Sequence, residues 1–307
     1  MSSINTSSDN ALYLAYRSVG PSVDLIVPAV ALYLVALIGI VMNGTALVVT
    51  AKSRQMPLAF FILIIIIEFN FNFNLNFPFF SSLRGSANFL MALICLCELV
   101  HQIGHTFLLV VVISGTNFVS LHTADLIIAP SVFALNCGLM AMFCAAVDRL
   151  FAVLMPFKHF SICAKYKLPY LFGHLLICII YGTFIQYHVL ASAFENAGMP
   201  TNGLLADAFQ DDIYQFFIGG VYSISFGCIC CYVTIFLIVR LKKSVTQQTN
   251  TRLLRSLVII LSINIGGYLG TLIMSQLIGT IGQVYFCSTY LYNQSQTENI
   301  IRLHHIK

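Results

Sequence analysis

No tryptophan occurs in the 307 residues, and only 8% of them are Asp, Glu, Lys or Arg, against about 25% in an ordinary soluble domain. That shortage of charge excludes a water-soluble globular fold, and a hydrophobic content of 59% excludes a disordered chain. Phosphate-cradling loops, nucleophile elbows and dense basic patches are missing, so nothing points to nucleotide hydrolysis, serine-type catalysis or a nucleic-acid partner. The ten cysteines have no zinc-type spacing. Eight of them, Cys95, Cys97, Cys137, Cys144, Cys178, Cys228, Cys230 and Cys231, lie in apolar runs and are expected to be buried thiols. The segments placed outside the bilayer do not offer two cysteines for a disulfide, and no cofactor is implied.

What the chain has instead is long apolar runs, with 25 Phe and 14 Tyr supplying the aromatic surface. Backbone groups cannot be left unpaired in hydrocarbon, so a spanning helix needs about 20 mainly apolar residues. Six stretches meet this near 24–50, 86–112, 121–147, 169–192, 213–240 and 254–277. A seventh, near 278–293, is short and interrupted by Gly and Gln. The expected fold is an all-α seven-transmembrane helix bundle over 24–293, in contact with membrane lipid, with a polar amino-terminal segment 1–23 and a tail 294–307. The opening residues lack the cationic start and small-residue cleavage site of a signal peptide, so the first span is expected to stay in the mature protein.

Cationic side chains favour the cytoplasmic side. The first connection carries Lys52, Arg54 and Arg84, the third Arg149, Lys158, Lys165 and Lys167, and the fifth Arg240, Lys242, Lys243, Arg252 and Arg255. The second and fourth have no Lys or Arg, and the fourth holds Glu195, Asp207, Asp211 and Asp212. The amino terminus is therefore expected outside and the tail inside. In that orientation the sequon Asn5-Thr6-Ser7 makes Asn5 a glycosylation candidate.

One adjacent acid and base, Asp148 and Arg149, closes a long uncharged run in AAVDRLFAVLMPFKHF, residues 145–160. Charge-assisted pairs at a helix end near the membrane surface are inexpensive to hold and to release. An interfacial anchor, with Arg149 snorkelling to the surface, is the plain alternative. This stretch is similar to the DRY region of rhodopsin-like receptors: Asp148, Arg149, then Leu150 where Tyr is common, with Ala152, Val153 and Pro156 in step. NFLMALICLCEL resembles the second-span pattern N-x-L-x-x-x-L-x-x-x-D-L, placing Asn88 and Glu98 on its polar positions, and MNGTALVV resembles the first-span signature, with Asn43 as its Asn. Within those receptors the arrangement most resembles nematode serpentine chemoreceptors of the srsx type. Ala124 stands where a Cys is usual, span four lacks Trp, and the C-W-x-P and N-P-x-x-Y patterns of spans six and seven are absent.

The resemblance implies a chemosensory G-protein-coupled receptor of the plasma membrane, not an enzyme. Its partners would be an extracellular small molecule or peptide and a heterotrimeric G protein. Arg149 would pair with Asp148 in the inactive state and face the G protein in the active one, with Pro156 and Tyr232 in the same switch and Lys158, Arg240, Lys242 and Lys243 lining the cytoplasmic cleft. Asn43 and Glu98 would form an inner polar cluster. Depth alone nominates Ser131, Asn136, Tyr214, Gln215 and Tyr268 for ligand contact, although such residues serve as often as interhelical hydrogen-bonding groups.

Two rival classes exist. Glu98, His101 and His105 at i, i+3 and i+7 put a carboxylate and two imidazoles on one helix face, the donor set of a metal-dependent intramembrane hydrolase. A secondary transporter would need duplicated halves and intramembrane charges, and neither is visible.

Residues 57–80, PLAFFILIIIIEFNFNFNLNFPFF, break the pattern. Ten apolar residues, 58–67, are too few to span, and alternating Phe and Asn make a strand whose edges lipid leaves unpaired. Phe, Ile, Asn and Leu are also what AT-rich non-coding DNA encodes. The tract reads as a retained intron, since its removal joins AKSRQM to SSLRGS in a short basic turn. Full-length transcript sequencing is expected to find a dominant mRNA without it; a dominant mRNA that encodes the Phe-Asn tract would contradict this.

Overall fold

The computed structural model describes residues 11–52 and 86–241. Both segments lie in the first of two compact units, Met1–Lys243. The 57–80 tract, Asn5, the expected sixth and seventh spans with Tyr268, and the tail lie outside the described residues.

A short helix α1 (Ala11–Tyr16) precedes α2 (Val23–Lys52). Then follow α3 (Ser86–Ile103), α4 (His105–Ile113), strand β1 (Val119–Ser120) and α5 (Leu121–Leu154). After these come α6 (Pro156–Lys165), α7 (Lys167–Glu195), strand β2 (Pro200–Thr201), a 3-10 turn (Leu205–Ala208) and α8 (Asp211–Leu241). Five of these stretches are long and apolar enough to cross a membrane: Val23–Val48, Asn88–Ile113, Leu121–Leu154, Lys167–Glu195 and Ile213–Ile238. They agree with the first five expected spans. The ends differ most at α5, which continues through Asp148 and Arg149 to Leu154.

Helix α5 is the hub, packed against α3, α7 and α8. Its 34 residues make it about 50 Å long at 1.5 Å per residue, against a hydrocarbon core of about 30 Å. At least one end must therefore project into the polar zone. Ser120 caps its start, the hydroxyl accepting from the Thr123 amide at 3.3 Å. After Met155 the chain turns and Pro156, at the first position of α6, starts a new helix where its missing N–H costs nothing.

Close approach of helices rests on small residues, as is usual within lipid. At Gly182 of α7 an added Cβ would lie 2.5 Å from Cys137 Sγ and 3.1 Å from the Phe133 ring. At Gly104 an added Cβ would collide with Ser131 of α5. There the span also breaks into α3 and α4, with the tighter bonds Gly104 N–H to His101 O and Phe107 N–H to Gly104 O, both 3.1 Å.

On the face carrying β1 and β2, backbone pairing ties the connections together. Val119 pairs with Thr201 and Ser120 with Pro200, and the Leu121 amide donates to Met199 O at 2.8 Å. Asn117, at φ 57°, donates from Nδ2 to the carbonyls of Tyr16 (3.0 Å) and Gly20 (2.6 Å), holding the α1–α2 junction. No disulfide joins any of the nine cysteines of the described residues. Six of the eight expected to be buried are so, but Cys230 is exposed and Cys231 half-buried. An apolar run fixes membrane depth, and which side chains on it face protein is set by the helix partners.

Replacing Gly182 by Ala is expected to weaken the α5–α7 contact by about 1–3 kcal/mol, lowering the thermal midpoint of the purified protein. Gly173→Ala on the same helix, where nothing lies within 4 Å, should leave it unchanged or raise it. Equal midpoints for the two variants would contradict the packing described.

Candidate functional site

Near the α6 end of α5, Asp148 has no exposed surface (0%). An ionised carboxylate so placed must have its lone pairs occupied by donors. Oδ2 accepts from Arg149 Nε at 2.9 Å and also from Arg149 Nη2. Oδ1 accepts from the Tyr170 hydroxyl at 2.8 Å and is 3.0 Å from His159 Nε2. Because a carboxylate only accepts, that contact requires the proton on Nε2.

Four elements meet at this one side chain. Arg149 Nη2 donates onward to Ser86 Oγ at 3.1 Å, bringing in the first turn of α3. His159 comes from α6, its ring edge-on to Phe151 at 5.6 Å and to Tyr170 at 6.0 Å. Tyr170 comes from the first turn of α7 and stacks edge-on with His174 at 4.7 Å. Cys163 of α6 has its Sγ 3.6 Å from His159 Nε2; burial, and then the Asp148 charge, push its thiol up from the ordinary range.

The pair is asymmetric. Asp148 is enclosed, whereas the Arg149 side chain keeps 23% of its surface exposed, so the arginine has a way out and the carboxylate does not. Tyr232, half-buried on α8, lies within electrostatic range of both, and its hydroxyl has no hydrogen-bond partner among the described residues. Pro156 is exposed at the start of α6, beside Phe157, which is 89% exposed.

The residues nominated for the inner polar cluster and for ligand contact that the structure describes lie on α2, α3, α5 and α8. Glu98 is buried on α3 (8% exposed) and Asn43 half-buried on α2. Their helices approach one residue away from each, where a Cβ added at Gly44 would lie 3.7 Å from Leu99 Cδ1. Ser131 donates to the Val100 carbonyl at 3.1 Å and is thereby engaged in the α3–α5 contact. Asn136 is fully buried; its Nδ2 donates to Val132 O at 2.9 Å while Oδ1 has no partner among the described residues. Tyr214 is half-buried and Gln215 exposed, both at the start of α8.

The triad Glu98, His101 and His105 is not gathered for a metal. Its spacing assumed one continuous helix, and α3 ends at Ile103, with His105 opening α4. The two imidazoles meet edge-on at 5.4 Å, and among the described residues no group of three or more His, Cys, Asp and Glu is placed to hold a metal ion.

Ser86, His159 and Tyr170 were not legible as site residues. Only the separations are visible in the sequence, 63 positions between Ser86 and Arg149 and 11 and 22 positions from Asp148 to His159 and Tyr170. A basic or hydroxyl residue two to four positions after the Pro156 turn, and one in the first turn of the next span, would have been the signal. Asp125 was missed as well. It lies five residues into a span and is 1% exposed, more deeply buried than Glu98 at 8%.

Residues 63–301 match the family described as serpentine type 7TM GPCR chemoreceptor Srsx. The match begins after α2, includes residues 63–80 of the Phe-Asn tract, and covers the whole of α3 to α8. No curated protein is significantly similar to the chain. The family is one of chemoreceptors and not an enzyme class. The five apolar helices and the family match, which covers well over half of the sequence, lead to one assignment: the chain belongs to the Srsx family of serpentine, seven-transmembrane G-protein-coupled chemoreceptors.

Proposed function

We propose that the protein is a chemosensory receptor of the plasma membrane, amino terminus outside, that passes binding of an extracellular ligand to a heterotrimeric G protein. The observation that carries this reading is the buried Asp148 carboxylate with Arg149 held on one oxygen and His159 and Tyr170 on the other.

Releasing Arg149 from such a site does not strand a bare buried charge. Asp148 keeps two donors, and the arginine has exposed surface to move toward. The two states then differ by a few kcal/mol instead of the larger cost of an unpaired buried ion. Tyr232, within electrostatic range of the pair, offers a hydroxyl with no partner among the described residues, a candidate acceptor for the guanidinium once it leaves Asp148. The cytoplasmic surface for a G protein would be formed around the inner end of α5 and α6, where Phe157 and Phe160 are exposed next to Lys158. Apolar anchors ringed by charge suit a protein partner. The Lys and Arg excess of the first, third and fifth connections supports this side being cytoplasmic.

Arg149→Ala is expected to abolish ligand-evoked G-protein activation, a loss of about a hundred-fold or more, while surface expression measured by an amino-terminal tag stays near the parent level. Undiminished signalling by the variant at equal expression would contradict the mechanism.

A further inference from the structure

At the opposite end of α5 from Asp148, a pair of acidic side chains has no counter-charge among the described residues. Asp125 is 1% exposed and neither of its carboxyl oxygens has a hydrogen-bond partner among the described residues. Asp207, in the 3-10 turn that packs on α5, lies close enough to repel it. Burial pushes the Asp207 carboxyl up from the usual carboxylate range. Neither Asp125 nor Asp207 has a Lys or Arg partner among the described residues.

The place is built, not accidental. Asp207 Oδ2 accepts from Thr201 Oγ1 at 2.6 Å, and the same Oγ1 accepts from the Gly203 amide at 3.0 Å. Thr201 is itself buried and fixed by its pairing with Val119. These bonds hold the Asp207 carboxyl with Oδ1 uncommitted. One turn before Asp125, His122 lies against the Phe194 ring at 4.6 Å, and its Nε2 too is buried without a partner.

From this arrangement we propose that Asp125 and Asp207 form a binding site for a small primary ammonium ion or amine-bearing ligand, closed over by the Pro200–Ala208 connection. This names the ligand class for the receptor function proposed above and rests on that reading for its purpose. An ammonium group brings three N–H donors and one positive charge. With both carboxyls ionised, the two Asp125 oxygens and Asp207 Oδ1 supply three acceptors, and the ammonium offsets one of the two negative charges. A hard divalent cation fits less well, since Ca²⁺ takes six to eight oxygen ligands and no three-residue ligand group is present among the described residues. The site lies six residues along α5 from Ser131.

The test uses purified full-length receptor in lipid nanodiscs, with its thermal midpoint followed as methylammonium chloride is added at constant ionic strength. A ligand that binds only the folded state raises the midpoint with its concentration. The expected result is a saturable rise for methylammonium and none for tetramethylammonium, which has the same charge without N–H donors, or for sodium. Asp125→Asn and Asp207→Asn should each raise the half-saturating concentration about ten-fold or more, a loss of about 1.4 kcal/mol. Four results would overturn the proposal: no saturable rise, an equal rise with tetramethylammonium, a rise with calcium alone, or a rise on acidification to pH 5 with no response to the amine. If an Asn variant fails to fold, the comparison of the two ammonium ions on the parent protein still decides. No G protein takes part, so failure here leaves the coupling mechanism standing, and loss of coupling leaves this site standing.

Discussion

A carboxylate sealed from solvent must be supplied with donors or it will not remain charged, and the geometry around Asp148 follows from that requirement. The donors come from Arg149 beside it, from His159 on α6 and from Tyr170 on α7, while Ser86 of α3 takes the other side of the guanidinium. Each bond fixes an element that lipid alone would leave free to slide, since apolar side chains gain little by choosing one another over acyl chains. The Pro156 turn folds α6 back so that His159 reaches the carboxylate. The same interaction sets the relative positions of four helix ends and holds the one cation, Arg149, that the receptor reading needs to move.

The two ends of α5 handle buried acid in opposite ways. At one end Asp148 is saturated with donors, a state that is stable and locally strong. At the other, Asp125 has none among the described residues and lies within electrostatic range of a second carboxyl. One helix of 34 residues, with Pro130 inside it, joins them. Binding a cation at the second end changes the electrostatics of the element that carries Asp148 and Arg149. Coupling between the ends then requires only that the two arrangements of α5 differ in how well each site is satisfied.

Much of this was legible in advance, and the limits have physical causes. Spans could be placed because the bilayer imposes a length on any helix that crosses it, and the Asp148–Arg149 pair could be singled out because charge at the edge of a long apolar run is expensive unless used. Asp148's remaining partners could not be found, since His159 and Tyr170 reach it through a turn and a helix docking that leave no periodic trace. The grouping of Glu98, His101 and His105 failed for a local reason: Gly104 admits the close approach of Ser131, and the helix breaks there. Asp125 escaped notice because a single acid a few residues into a span looks like an interfacial residue, and only the connection folded over it makes it buried. The loss of the usual cysteine at Ala124 was readable; the backbone ladder of Val119, Ser120, Pro200 and Thr201 that joins these connections was not.

The central claim is that Asp148 restrains Arg149 in the resting receptor, and it is tested most directly by ligand-free nucleotide exchange on a G protein reconstituted with purified Asp148→Asn receptor in nanodiscs. Removing the charge while keeping the shape weakens the hold on Arg149 and shifts the resting equilibrium by about 1–3 kcal/mol, so basal exchange should rise by roughly five- to a hundred-fold over the parent. Basal exchange equal to or below that of the parent, with the variant folded and inserted, would contradict the account.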